Sequence, residues 1–196
     1  MKHNPYKVVR MFEEEVADYA GAPDAVAVDS GTNALFLCCT YLQVADVTIP
    51  RHTYVSVPQA IHHAGGRVRF ETLDWQGMYQ LKPYPIFDAA KRFTAGMYIP
   101  GTLMCLSFHI RKHLKIGKGG MILTDDPKAA DWCRRARYEG RGEERYRVDP
   151  DAMVGWNMYM TPVDAARGLM LMQDMPAHNP DLTEDYPDLS GHRAFQ

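Results

Sequence analysis

No stretch of this sequence is apolar for long enough to cross a bilayer, which takes about 20 residues, and the opening Met1-Lys-His-Asn-Pro-Tyr6 lacks the apolar run of a secretion signal. Cytoplasm is the expected location, with no membrane partner. An excess of one charge is also missing. Lys and Arg number 22 against 24 Asp and Glu, a net charge of -2, which argues against a generally basic nucleic-acid binder and against a highly charged disordered chain. Cysteine is scarce and poorly spaced. Cys38 and Cys39 are adjacent while Cys105 and Cys133 stand alone, so neither a disulfide framework nor a CxxC zinc pattern is present, and all four read as core-filling thiols. The histidines lack the i, i+4 spacing with an acidic partner that a zinc protease helix shows, and no metal is predicted. Internal repeats are absent. What remains, 196 residues of which 46% are hydrophobic, is enough to bury one substantial core.

What is present is an alternation of short strands and helices. Residues 8–21 repeat apolar positions at three and four and close on Gly21, as an amphipathic helix with a C-cap does. A strand at 25–28, a small-residue turn at 29–33 and a helix at 34–42 follow; then a strand at 47–49, a helix at 54–64 stopped by Gly65-Gly66, and a strand at 67–70. Further strands are predicted at 86–88, 103–108 and 121–124, and helices at 127–138 and 162–174, with a charged loop at 139–151 between them. The pattern implies parallel βαβ units and hence an α/β fold of three layers, a mostly parallel sheet flanked by helices, in one domain over residues 1–175. The tail, 176–196, rich in Pro, Asp and His, is expected to be irregular and packed against the body or a partner.

Three strand ends carry chemistry. Ser107-Phe-His-Ile-Arg-Lys112, followed by Gly117-Lys-Gly-Gly120, sets one lysine between phosphate-binding groups. A lysine amine kept partly unprotonated forms a Schiff base with an aldehyde, which points to pyridoxal phosphate. The turn Asp29-Ser-Gly-Thr-Asn33 opens a helix with hydroxyl groups and suits a phosphate dianion; an ordinary N-cap is the plain alternative. Asp88, at the end of an apolar strand, suits the cofactor's ring nitrogen, or simply caps the following turn. Tyr54 suits stacking on the ring, or core packing. Ser107 lies within reach of the same phosphate as residues 30–33. Lys112 then acts twice, as cofactor carrier and as the base that moves a proton.

The order of these segments resembles the DegT/DnrJ/StrS family of nucleotide-sugar aminotransferases, pyridoxal enzymes of fold type I. Phe12-Glu-Glu-Glu-Val-Ala-Asp-Tyr-Ala-Gly21 is similar to the family's opening helix and Ser30-Gly31-Thr32-Asn33-Ala-Leu35 to its phosphate loop. Ile49-Pro-Arg-His-Thr-Tyr54 resembles the segment whose aromatic residue stacks on the cofactor, Asp88-Ala-Ala matches the acid that holds the pyridine nitrogen, and the Ser107 to Lys112 stretch is similar to the Schiff-base signature. Gly155-Trp-Asn157 resembles the segment that reaches the neighbouring subunit's phosphate. The resemblance implies transfer of an amino group, usually from glutamate, to a keto carbon of a nucleotide-linked sugar. It also implies a homodimer in which Asn157 serves the partner's site. A branch of the family performs dehydration with histidine in place of the lysine; here five steps from Ser107 and five back from Gly117 both land on Lys112 rather than His113.

Three departures from the family pattern shape the expectations. Lys91 stands where family members usually have a glutamine that contacts the cofactor's ring oxygen; the lysine either reaches that oxygen or points to solvent. Only residues 71–87 separate the strand at 67–70 from the one ending in Asp88, where the family fits a further strand and helix, so the sheet is expected to be smaller or completed differently. Nothing after about Gln173 matches the family's C-terminal small domain, leaving a reduced large domain. Arg111, Lys115 and Lys118 are candidates to meet a nucleotide diphosphate, solvation being the plain alternative. The competing functional reading is a cofactor-binding remnant that acts as a binding or assembly partner. Gly117-Lys-Gly-Gly120 lacks the spacing and the following Ser or Thr of a P-loop.

Overall fold

The computed structural model describes residues 4–143 and 152–195. Five helices and seven strands appear in the order α1 (Lys7–Ala20), β1 (Asp24–Val28), α2 (Gly31–Tyr41), β2 (Asp46–Pro50), α3 (Ser56–His63), β3 (Arg67–Glu71), β4 (Tyr79–Gln80), β5 (Ile86–Asp88), β6 (Leu103–Ser107), β7 (Gly120–Thr124), α4 (Pro127–Ala136) and α5 (Pro162–Met172) among the described residues. A short 3-10 turn at Arg193–Phe195 follows. Part of the predicted charged loop, 144–151, lies outside the described residues.

Strand alternation divides the interior into two cores. On β1, Val26 and Val28 face one cluster with Leu35, Leu37, Ile61 and Cys133, while Ala25 and Ala27 face another with Phe12, Val16, Phe108 and Ala165. On β6, Cys105 joins the first cluster while Met104 and Leu106 join the second. A sheet buried on both faces needs helices on both: α2, α3 and α4 cover one side, α1 and α5 the other. Helix α2 is apolar nearly all round, with Ala34 to Cys39 buried without interruption, as befits a helix enclosed by its neighbours. All four cysteines are free and buried, with Cys38 Sγ 3.6 Å from Cys105 Sγ.

Helix α1 ends at Gly21, whose φ of 74° is the left-handed conformation that lets its N–H and the next reach back to the last carbonyls. Its one buried carboxylate, Glu13, meets the Arg137 guanidinium and accepts the Ala27 N–H at 2.8 Å. A charge so deeply placed is tolerated because each oxygen is partnered, and the pairing ties α1 to β1 and to the end of α4.

The helix-flanked α/β layering matches the sequence reading; the strand sense does not. The five-stranded sheet has the order β1-β7-β6-β5-β4, and only β5 and β6 run parallel, the other three pairings being antiparallel. The expected mostly parallel sheet is therefore mixed. The physical reason is the connections: a parallel pair needs a long crossover, usually helical, whereas β6 returns to β7 through the Lys112 loop, cinched at its neck by Phe108 N–H to Gly119 O at 2.9 Å. Strand β4 returns directly into β5. The parallel pair β2 and β3 forms its own ladder, and Thr48 and Lys82 exchange main-chain hydrogen bonds of 2.8 and 3.1 Å that join it to the segment after β4. This hairpin stands where the family pattern leads one to expect a further strand and helix.

Candidate active site

The ends of β5 and β6, the start of α2 and the Lys112 loop surround a cleft of about 220 Å³. Ser30 opens α2 from an extended conformation, its Oγ accepting the Asn33 N–H at 3.1 Å, so the helix begins squarely at Gly31. A Cβ at Gly31 would stand 2.9 Å from Ser107 Cβ and 3.2 Å from Leu106 O; only glycine lets the helix start lie directly against the end of β6. The positive end of α2, with Thr32 and Ser107 beside it, thereby faces the cleft. Thr32 donates to Ser56 Oγ at 2.8 Å, linking α2 to α3 at the rim.

Asp88 is 8% exposed. Tyr79 donates to its Oδ2 at 3.1 Å and the Ala90 N–H to its Oδ1 at 3.0 Å, and Tyr79 is itself held by Thr53 at 2.5 Å. Burial pushes the Asp88 carboxyl above its ordinary value; the Ala90 N–H, the nearby Lys112 charge and the Tyr79 hydroxyl pull the other way. Burial pushes the Lys112 amine below its ordinary value of 10.5, the Asp88 charge opposing and the Lys91 charge adding to the fall. A lysine in this state is a better nucleophile and base near neutral pH than one in water.

Of the residues singled out in the sequence, Gly31, Thr32, Tyr54, Asp88, Lys91, Ser107 and Lys112 all line this cleft, as do Arg111 and Lys118. Tyr54 is 55% exposed at the mouth. Asn33 is turned away to donate to Asp29 at 2.6 Å, and Lys118 pairs with the same aspartate at 3.2 Å. Lys115 does not line the cleft. Asn157 stands apart from it, donating to Glu139 at 3.1 Å and bridging to Tyr138. Sequence reasoning missed the far wall, made by Trp75, Glu184 and Tyr186. The signal available for it was Lys91: a cation on the turn after a buried strand needs a carboxylate, and the acidic run Asp181-Leu-Thr-Glu-Asp185 supplies one.

The sequence model of the DegT/DnrJ/EryC1/StrS aminotransferase family matches residues 2–97 and 87–184. The chain belongs to this family. GDP-perosamine synthase of Caulobacter vibrioides is 24% identical over 85% of this chain, which spans 57% of that relative. The chain thus spans little more than half the length of the curated relatives it matches. Among solved structures, 3-amino-5-hydroxybenzoic acid synthase superimposes with a TM-score of 0.74 at 20% identity, over 85% of this chain and 55% of that one. DesV from S. venezuelae, solved with a ketimine intermediate, gives 0.73 at 21% identity, over 86% and 57%. These likenesses establish the DegT-family fold for the sheet and its helices. No described helix is long and apolar enough to cross a membrane.

Proposed function

We propose that this DegT-family chain is a pyridoxal-phosphate-dependent aminotransferase that passes an amino group from an amino acid, glutamate foremost, to a keto carbon of a nucleotide-linked sugar. The observation that carries the reading is the convergence of Lys112, Asp88 and the start of α2 on one cleft. The donor set fits the cofactor: a buried carboxylate for a ring nitrogen, an amine of lowered proton affinity for a carbonyl, and a helix start with hydroxyls for a phosphate. When bound, the cofactor supplies an electron-withdrawing ring and a reactive carbonyl carbon.

The remaining steps belong to the chain. Thr32, Ser107 and the first amides of α2 bind the phosphate dianion. Asp88, its oxygens oriented by Tyr79 and Ala90, holds a proton on the ring nitrogen. Tyr54 covers a ring face at the mouth, and Lys91 stands on the wall beyond Asp88. Lys112 would hold the cofactor through its amine and, once free of it, would take the proton from the donor's Cα. Arg111 and Lys118 at the rim meet the diphosphate of the acceptor. The chain works as a homodimer, in which Asn157, outside its own cleft, serves the partner's phosphate. The enzyme reading is favoured over a binding remnant because the site retains both its amine and its acid and the relative from Caulobacter vibrioides is a synthase.

The test is the absorption spectrum of the purified protein with pyridoxal phosphate, before and after glutamate, with Lys112→Ala alongside. A visible band that requires Lys112 and is bleached by glutamate is expected, and turnover in the variant falls by roughly 10²–10⁴-fold or more. No band in the wild-type protein would sink the reading. For the dimer, Lys112→Ala and Asn157→Ala proteins, each inactive alone, regain activity when mixed; two inactive proteins that stay inactive together would remove the shared site.

A further inference from the structure

The tail places an ion pair in the cleft wall for which the reading above has no use. Lys91 is 4% exposed; its Nζ lies 2.6 Å from Glu184 Oε2 and 4.8 Å from the centroid of the Tyr186 ring. Main chain is joined at the same point, the Leu182 N–H donating to Lys91 O at 2.9 Å, and Arg92 grips Asp181 at 2.5 Å alongside. A cation so deeply placed stands only with a partner. Here that partner arrives from the far end of the described chain, and it lies on the same cleft as Lys112.

Both charges act on the Lys112 amine, Lys91 disfavouring its protonation and Glu184 favouring it. Asp88 from β5 also favours protonation. The Lys112 loop itself presents His109, Arg111 and Lys118, the last paired with Asp29, and the remaining titratable neighbours on the walls are the phenols Tyr54, Tyr79 and Tyr186 and the buried Cys105 thiol. The starts of α2 and α3 contribute only hydroxyls, Ser30, Thr32 and Ser56.

We propose that Lys91 and Glu184 are positioning residues for the reactive amine: held against each other in the cleft wall, the Lys91 ammonium biases Lys112 towards its neutral, nucleophilic form and the Glu184 carboxylate opposes it. The proposal rests on the assignment of Lys112 made above, and its test is separate from it. In the whole chain without cofactor, trace acetylation by acetic anhydride across a pH series, read at the Lys112 peptide by mass spectrometry, gives the midpoint of its titration. Lys91→Gln raises that midpoint and Glu184→Gln lowers it, each by at least about half a pH unit, a ~3-fold change in the protonation equilibrium. Glu184→Asp, which keeps the charge, restores the wild-type value.

The pH dependence of the visible band of the pyridoxal-phosphate-loaded protein moves in the same senses. Midpoints unchanged in both neutral variants, with only the melting temperature lowered, would make the pair a brace and overturn the proposal, as would shifts of the same sign. Should Glu184→Gln fail to fold, Lys91→Gln and Glu184→Asp decide by the same comparison. Absence of a visible band in every protein would count against the aminotransferase reading alone, leaving the acetylation midpoints to decide this one.

Discussion

Asp88 shows how one side chain is prepared by its neighbours. Its carboxyl is lifted by burial and held back by the Ala90 N–H, Lys112 and Tyr79, so the Tyr79 hydroxyl is one of the groups that ease its ionisation. Tyr79→Phe leaves Asp88 Oδ2 and Thr53 Oγ1 each short of a partner, and the loss of a charge-assisted hydrogen bond weakens pyridoxal phosphate binding about tenfold, ~1.4 kcal/mol; equilibrium titration of the absorbance checks it. Lys112 makes a prediction of the opposite kind. Its amine is depressed in the folded chain, so a protonated Lys112 is disfavoured by folding at every pH below that lowered value, and the penalty fades as pH rises towards 10.5, where the unfolded lysine also loses its proton. Cofactor-free Lys112→Met therefore melts higher than the wild type at neutral pH, with a gain that shrinks in alkali. A gain independent of pH would contradict the sign. The placing of Lys112, Asp88 and Tyr54 on one cleft was legible because each sits in a short ordered motif; that of Glu184 and Tyr186 was not, because their contacts span the chain and no local pattern encodes them.

At the scale of elements, α2 carries the most weight, since its start forms one wall of the cleft and its body fills the core between sheet and helices. Gly31→Ala drives a methyl against Ser107 Cβ at 2.9 Å, and the helix has to back away from β6. The expected loss is about 1–3 kcal/mol of stability, read by urea denaturation, together with weaker pyridoxal phosphate binding; an unchanged affinity would mean that the helix start does not hold the phosphate. Strands were readable where apolar runs are bounded by turn residues, as at Ile86–Asp88. Strand β4 was not, being two residues long, too short for any periodicity. Nor was strand sense, since it depends on whether a connection contains a helix. The Lys112 loop has none, and the segment between β3 and β5 returns through a hairpin.

For the whole molecule, the body and the tail are one mechanical unit. Residues 176–189 run from α1 to the cleft rim, with Tyr19 donating to Pro176 O at 2.6 Å, the Ala95 N–H to Ala177 O at 3.0 Å, and the Leu189 N–H to Arg51 O at 2.9 Å. Their irregularity was expected from composition; the choice of the chain's own cleft as their resting place was not readable, because hydrogen bonds from an aperiodic segment leave no trace in sequence. A chain ended after residue 175 leaves Lys91 buried without its carboxylate and uncovers the Leu189 and Phe195 sites. We expect it to lose at least about 2 kcal/mol of stability, measured by urea denaturation. A truncated chain as stable as the intact one would show the tail to be merely resting on the surface.

The wrapping tail also orders events during synthesis. Domains fold as units while the chain emerges, amino-terminal parts first, yet this cleft takes its floor from residues 30–32 and its last wall from Glu184 and Tyr186. A ribosome-bound chain that has released the Lys112 loop but not residues 184–186 carries the Lys112 amine in a half-built pocket, and the finished chemical environment is sealed only once those residues have emerged.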